Sequence, residues 1–249
     1  MKKMKSEMRK KYILEPPFEH FNENLELKPY GYQALFNILA DKHLSSTDQG
    51  VGVVLANKYA WVLVSMSLVI EKPLTESQQL IGSTWYSGRR GPFFRREYNV
   101  VDKNNQTICK GASYSVLLDL ENRSIYKQRQ LPFEILTEEL THLVEANPTF
   151  KQNLEFVDIK EGQIENSHLD GLGHVNNLRY SEFVYDCFSE SQIKELKNLK
   201  RIELYFHKEM QKSDRFVVKK GLNEKTNTYQ IFNLTKKERA FTFNAYFDL

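Results

Sequence analysis

Two parts of the chain carry apolar residues at three- and four-residue steps, and the stretches between them alternate or run apolar as strands do. Tyr32, Leu35, Phe36, Leu39 and His43 form one stripe behind Pro29. A proline suits a first helical turn, so this spacing predicts a helix to about Leu44. Val175, Leu178, Tyr180, Phe183, Val184, Cys187 and Phe188 form a second stripe, predicting a helix that runs to about Leu196. A third helical segment, expected over 133–146, ends before Asn147-Pro148. Strand character falls at 11–14, 61–71, 79–86, 93–102 and 108–118, and again at 155–160, 200–209, 215–222, 228–234 and 240–249. In 61–68 both alternating sets are largely apolar, so that strand is expected to be covered on both faces. The polar stretch 45–52 reads as a turn, and Asp102-Lys-Asn-Asn105 as a hairpin.

The order strand, helix, four strands thus occurs twice. Phrases correspond as well: Ile70-Glu-Lys-Pro-Leu-Thr-Glu-Ser77 stands where Phe206-His-Lys-Glu-Met-Gln-Lys-Ser213 stands in the second half. The period is too long for a solenoid, and two joined copies suit a pseudo-twofold pair. The expected architecture is α+β, with each half an antiparallel sheet wrapped around a helix and the two sheets joined edge to edge. The divisions read as a basic leader at 1–10, a first unit at 11–130, a connector at 131–149 and a second unit at 150–249.

With 249 residues, 41% of them hydrophobic, the chain can bury a substantial core. A net charge of +3 leaves no nucleic-acid footprint. Cys109 and Cys187 fall on apolar segments and read as free buried thiols of a reducing compartment. The opening MKKMKSEMRKK is basic without an apolar stretch behind it, so no secretory signal is expected. No apolar run is long enough to span a bilayer. A cytoplasmic protein is expected, with no cofactor, no metal and no membrane or nucleic-acid partner, as monomer or homodimer.

Candidate chemistry concentrates in His168-Leu-Asp170-Gly-Leu172-Gly173-His174-Val-Asn176-Asn177-Leu-Arg-Tyr180, directly before the second helix. Asn176 and Asn177 suit a helix cap, and free N–H donors at a helix N-terminus can hold the oxygen of a polarised carbonyl. Asp170, Gly173, His174, Val175, Asn176, Asn177 and Tyr180 match D-x-x-G-H-V-N-N-x-x-Y, and the stretch resembles the motif of hot-dog thioesterases. The tandem arrangement, the runs Thr84-Trp85-Tyr86-Ser-Gly88-Arg-Arg90 and Phe94-Arg-Arg96, and Glu209 extend the resemblance to the acyl-acyl-carrier-protein (acyl-ACP) thioesterases over nearly the whole chain from about Tyr12. It is to the bacterial type, since plant members carry a plastid transit peptide.

The resemblance implies a double hot-dog fold that hydrolyses the thioester between a fatty acyl chain and the carrier protein's phosphopantetheine arm. It puts Asp170, His174 and strand-borne Glu209 at catalytic positions. Gly173, Val175, Asn176 and Asn177 become candidates for the oxyanion site. Glu209 would activate water, helped by a raised pKa if desolvated or close to Asp170. The sequence departs from the family pattern at Leu172, where Asn is usual; leucine offers neither donor nor acceptor. Met210 stands where some members have cysteine, and a thioether forms no thiolate, which favours attack by water.

The first half is expected to supply the acyl pocket, with Trp61, Met66 and Trp85 as candidates. Arg89, Arg90, Arg95 and Arg96 are candidates for an acidic carrier protein or its phosphate, against a plain solvated hairpin. The remaining alternatives are an acyl-coenzyme A thioesterase and a non-catalytic acyl-binding hot-dog protein.

Overall fold

The computed structural model describes residues 10–47, 50–128, 130, 132, 140–222 and 227–247. The first half contains β1 (Lys11–Leu14), α1 (Pro29–Ser45), a short α2 (Val51–Ala56), β2 (Tyr59–Ile70), β3 (Leu80–Arg90), β4 (Phe93–Val101), β5 (Thr107–Asp119) and β6 (Ser124–Ile125). The second contains β7 (Phe156–Gln163), α3 (Asn177–Tyr185), α4 (Glu190–Lys194), β8 (Arg201–Phe206), β9 (Arg215–Gly221), β10 (Asn227–Asn233) and β11 (Glu238–Tyr246). The expected leader lies outside the described residues, apart from Lys10.

All strands join one antiparallel sheet in the order β1-β3-β4-β5-β2-β8-β11-β10-β9-β7, with β6 on β5. This order reads as one half followed by its mirror. The halves meet where β2 pairs β8, from Ser65 opposite Tyr205 to Val69 opposite Arg201. Each half thereby covers the edge the other would expose. It is the double hot-dog architecture, with the two sheets fused into one.

One face of the sheet holds the helices. Tyr32, Leu35, Phe36 and Leu39 of α1 pack with Met66, Leu68 and Ile70 of β2, and the same core continues through Tyr180 and Val184 of α3 to Ile231 and Phe243. Burial at this scale is the main favourable term in folding, at about 25 cal/mol per Å² of apolar surface. The close seat of α1 requires Gly111 on β5, because a Cβ there would lie 2.4 Å from both the Phe36 ring and the Ser67 carbonyl.

Three features differ from the sequence reading. The second helix stops at Tyr185, and Ser189 starts α4 through a capping box with Gln192, so a continuous helix to Leu196 does not form. The polar stretch 45–52 leads into α2 rather than directly into β2. The connector helix expected over 133–146 lies outside the described residues up to 139, and residues 140–146 are not helical. Their backbone is engaged by the sheet's outer face instead. The Val144 carbonyl accepts from Arg95 at 2.6 Å, that of Glu145 from Arg201 at 2.6 Å, and that of Asn147 from Ser65 at 2.8 Å.

Candidate active site

The loop before α3 is built by its own backbone. Leu169 and Val175 form an antiparallel bridge, and the Asp170 N–H donates to the His174 carbonyl at 2.8 Å. Asp170 Oδ1 accepts from the N–H of Leu172 at 2.8 Å and of His174 at 3.3 Å, an Asx-type turn. Gly173 takes a φ of 79°, a left-handed conformation that glycine adopts without strain. Asn176 caps α3 by accepting from the Leu178 N–H at 2.9 Å.

These bonds revise the expected oxyanion site. The Gly173 N–H goes to the Asp170 carbonyl at 3.0 Å, that of Val175 to the Met210 carbonyl at 3.4 Å, and that of Asn176 to the His168 carbonyl at 2.9 Å. The loop's fold consumes all three. Asn177, first residue of α3, is the remaining candidate: its N–H finds no acceptor among the described residues, as expected of a helix start.

Glu209 is not on a strand. β8 ends at Phe206, because the N–H groups of His207 and Lys208 both turn to the Ala240 carbonyl, at 2.8 and 3.2 Å. The chain leaves the sheet there and is stapled to the motif through Met210. That side chain is fully buried, its N–H donates to Tyr180 Oη at 3.0 Å, and its carbonyl accepts from Val175. Burial pushes the Tyr180 phenol up to about 12, so it remains protonated. The staple leaves Glu209 Oε2 3.7 Å from His174 Nε2, with side-chain exposures of 57% and 45%.

The first half contains the same loop with different side chains. Phe21 bridges Leu27 as Leu169 bridges Val175. Asn22 accepts from the N–H of Asn24 and Glu26, at 3.0 and 2.8 Å, as Asp170 does from Leu172 and His174. The Leu74 N–H donates to Tyr32 Oη at 3.0 Å, and the Leu27 N–H to the Leu74 carbonyl at 2.9 Å, repeating the bonds around Met210. In register, Asn22 stands for Asp170, Glu26 for His174 and Pro73 for Glu209. What both halves keep is scaffold; what only the second has is the set Asp170, His174 and Glu209. Sequence reading missed this copy because His20-Phe-Asn-Glu-Asn-Leu-Glu26 shares only its histidine with 168–174.

Two cavities meet at the motif. A cavity of about 350 Å³ runs from Asp170, Leu172, Asn176 and Asn177 into the first half, between α1, α2 and the sheet. Trp61 and Met66 line it, beside Leu44, Leu63 and Phe94. A larger cavity of about 730 Å³ is lined by Asp170, Leu172, His174, Asn177 and Glu209, with Arg123 and Lys208 on its wall. Leu172, 56% exposed, belongs to both. The sequence singled out neither Arg123 nor Lys208; nothing in their local pattern marks them.

Of the other candidates, Arg95 and Arg96 border the first-half cavity as well. Trp85 is fully buried opposite Glu97 on the outer face and lines neither of these cavities. Arg95 is buried on the same face, paired with Glu97 and bonded to Tyr114 and the Val144 carbonyl, so its guanidinium is engaged within the chain. Arg96 points to the helix side, where Nη1 lies 3.2 Å from His43 Nδ1. Arg89 bonds the carbonyls of Gly91 and Gln128 and lies over Phe94, while Arg90 is exposed. Arg89, Arg90 and Arg95 line one open cavity together with residues 142–147, and Arg96 is not part of it. Among the described residues no cluster of histidine, cysteine, aspartate or glutamate could hold a metal ion, and no helix is long and apolar enough to cross a membrane.

No curated protein matches the chain in sequence. Its fold is similar to the crystal structure of an acyl-ACP thioesterase from Bacteroides thetaiotaomicron, at 18% identity and a TM-score of 0.82 over 98% of this chain and 99% of that one. It is also similar to 12:0-ACP thioesterase from Umbellularia californica, at 14% identity and a TM-score of 0.73 over 95% of this chain and 96% of that one. The family model for the acyl-ACP thioesterase N-terminal domain matches residues 7–136, and that for the C-terminal domain residues 152–242. With both halves matched in order, the chain belongs to the acyl-ACP thioesterase family.

Proposed function

We propose that the protein frees a fatty acid from acyl-ACP by attack of a water that Glu209 deprotonates. The acyl chain enters the cavity in the first half, the phosphopantetheine arm occupies the larger one, and the thioester lies where they meet. The observation that carries this reading is that junction, bordered by Asp170, Leu172 and Asn177, with His174 and Glu209 3.7 Å apart on the adjoining wall.

Water held between the Glu209 carboxylate and the His174 imidazole gives up its proton to Glu209 and attacks the carbonyl carbon. The carbonyl oxygen gains negative charge as the tetrahedral intermediate forms, and the Asn177 N–H at the positive end of α3 holds it. A single preorganised donor of this kind lowers a barrier by about 3 kcal/mol. The intermediate then expels the arm's thiolate, which leaves without a strong acid. Asp170 keeps the loop in shape through Oδ1 and adds negative charge to the cavity wall that His174 and Glu209 share. The Leu172 side chain contributes no hydrogen bond at the junction and serves as an apolar wall. Arg123 and Lys208 supply positive charge for the arm's phosphate.

The experiment is hydrolysis of a panel of acyl-ACP substrates beside the matching acyl-coenzyme A esters. Faster release of free acid from the carrier-protein substrates is expected. A large preference for coenzyme A, or acyl chains held without release of thiol, would overturn the reading.

A further inference from the structure

The two helices at the pseudo-twofold touch through an unequal pair. Gln33 follows Tyr32 on α1 as Ser181 follows Tyr180 on α3, and both side chains are buried, 0% and 1% exposed. The Ser181 hydroxyl donates to Gln33 Oε1 at 2.6 Å. Gln33 Nε2 reaches further, to the carbonyl of Asn177 at 3.1 Å. A residue of the half without the catalytic set thus grips the peptide unit at the start of the helix in the half that has it.

We infer that Gln33 is a positioning residue for the hydrolysis, fixing the first turn of α3 so that the Asn177 N–H is aimed at the carbonyl oxygen of the thioester. The inference rests on the mechanism proposed above. A buried amide with both ends bonded to α3 has one orientation, because reversing it would set Nε2 against a hydroxyl that could adapt but Oε1 against a carbonyl that cannot. α1 also lines the acyl cavity through Asn37, Ala40 and Leu44, one to three turns beyond Gln33. The wall that receives the chain and the turn that receives the oxyanion are therefore parts of one rigid pair. An aim displaced by even a fraction of an ångström costs rate more than affinity, since the bond forms fully only as charge develops.

The test compares Gln33→Met, Gln33→Leu and Ser181→Ala with wild type on acyl-ACP, measuring kcat, KM and melting temperature, with Glu209→Gln alongside. Both Gln33 variants lose the donor to Asn177 and the acceptor for Ser181; Ser181→Ala keeps that donor. Both Gln33 variants are expected to lose about tenfold or more in kcat with KM within about twofold of wild type, while Ser181→Ala stays within about twofold in both. Wild-type kcat in either Gln33 variant, or an equal loss in Ser181→Ala, overturns the inference. Should Gln33→Met fail to fold, Gln33→Leu decides. Normal Gln33 variants beside a crippled Glu209→Gln sink this inference alone; a normal Glu209→Gln sinks the mechanism beneath it.

Discussion

Asn22 and Asp170 perform the same structural task with different charge. Each accepts the backbone N–H groups two and four residues ahead, so the first half shows that an amide holds this loop as well as a carboxylate. Asp170→Asn is accordingly expected to melt within a few degrees of wild type while losing activity, and a large drop in melting temperature would contradict that division of labour. Histidines set a pH dependence of a different kind. Burial brings His207 down to about 4 from 6.5, and lowers His20 and His168 as well. Between those values the unfolded chain binds more protons than the folded one, so stability present above pH 6.5 is lost as pH falls toward 4. Melting temperature should decline across that window, less steeply in His207→Gln; identical profiles would remove His207 as a cause. At this scale much was legible. That Asp170, His174 and Asn177 share one loop and helix start was readable because a motif fixes both their types and their spacing. The pairing of Arg95 was not legible, because an arginine's partner is set by the register of β4, which puts Glu97 on the same face two residues on.

Among elements, the loop after β8 matters more than its length suggests. It is held by Tyr180 and Val175 on either side of Met210, which converts a strand end into a fixed support for Glu209. Tyr180→Phe leaves the Met210 N–H buried without its acceptor, at a cost of about 1–3 kcal/mol. Urea denaturation should show that loss, and kcat should fall by about tenfold as Glu209 is released; unchanged stability and turnover would show that the staple is idle. Strand and helix positions were legible from apolar periodicity, to within a few residues at most ends. The break after Tyr185 was not, since Phe188 continues the helical stripe and only the Ser189–Gln192 capping box restarts the chain. Glu209 was assigned to a strand although it lies past the end of β8, because the paired turn of His207 and Lys208 to one carbonyl leaves no mark in composition.

The whole molecule is a repeat whose two faces do different work. One carries the helices and the two cavities that meet at the motif; the other is polar and is engaged by residues 143–147. There Glu97, fully buried, receives Arg95, Ser87 and the Leu143 N–H. Arg95→Met strands that carboxylate, and the loss should reach about 3–5 kcal/mol in a denaturant titration. A loss below about 1 kcal/mol would show the pair to be dispensable. The repeat itself was legible from the order of elements, and the joining of sheets from the need to cover strand edges. What the order could not reveal is that the first half keeps a complete copy of the motif loop, with Asn22, Glu26 and Pro73 where the second has Asp170, His174 and Glu209. One catalytic set per chain, placed where two cavities meet, is the claim on which the rest depends. Its most direct test is release of free thiol from acyl-ACP by wild type, Glu209→Gln and Asp170→Asn under saturating substrate. The account predicts that each substitution lowers turnover by at least about a hundredfold in a folded protein; near-normal release from both would contradict it.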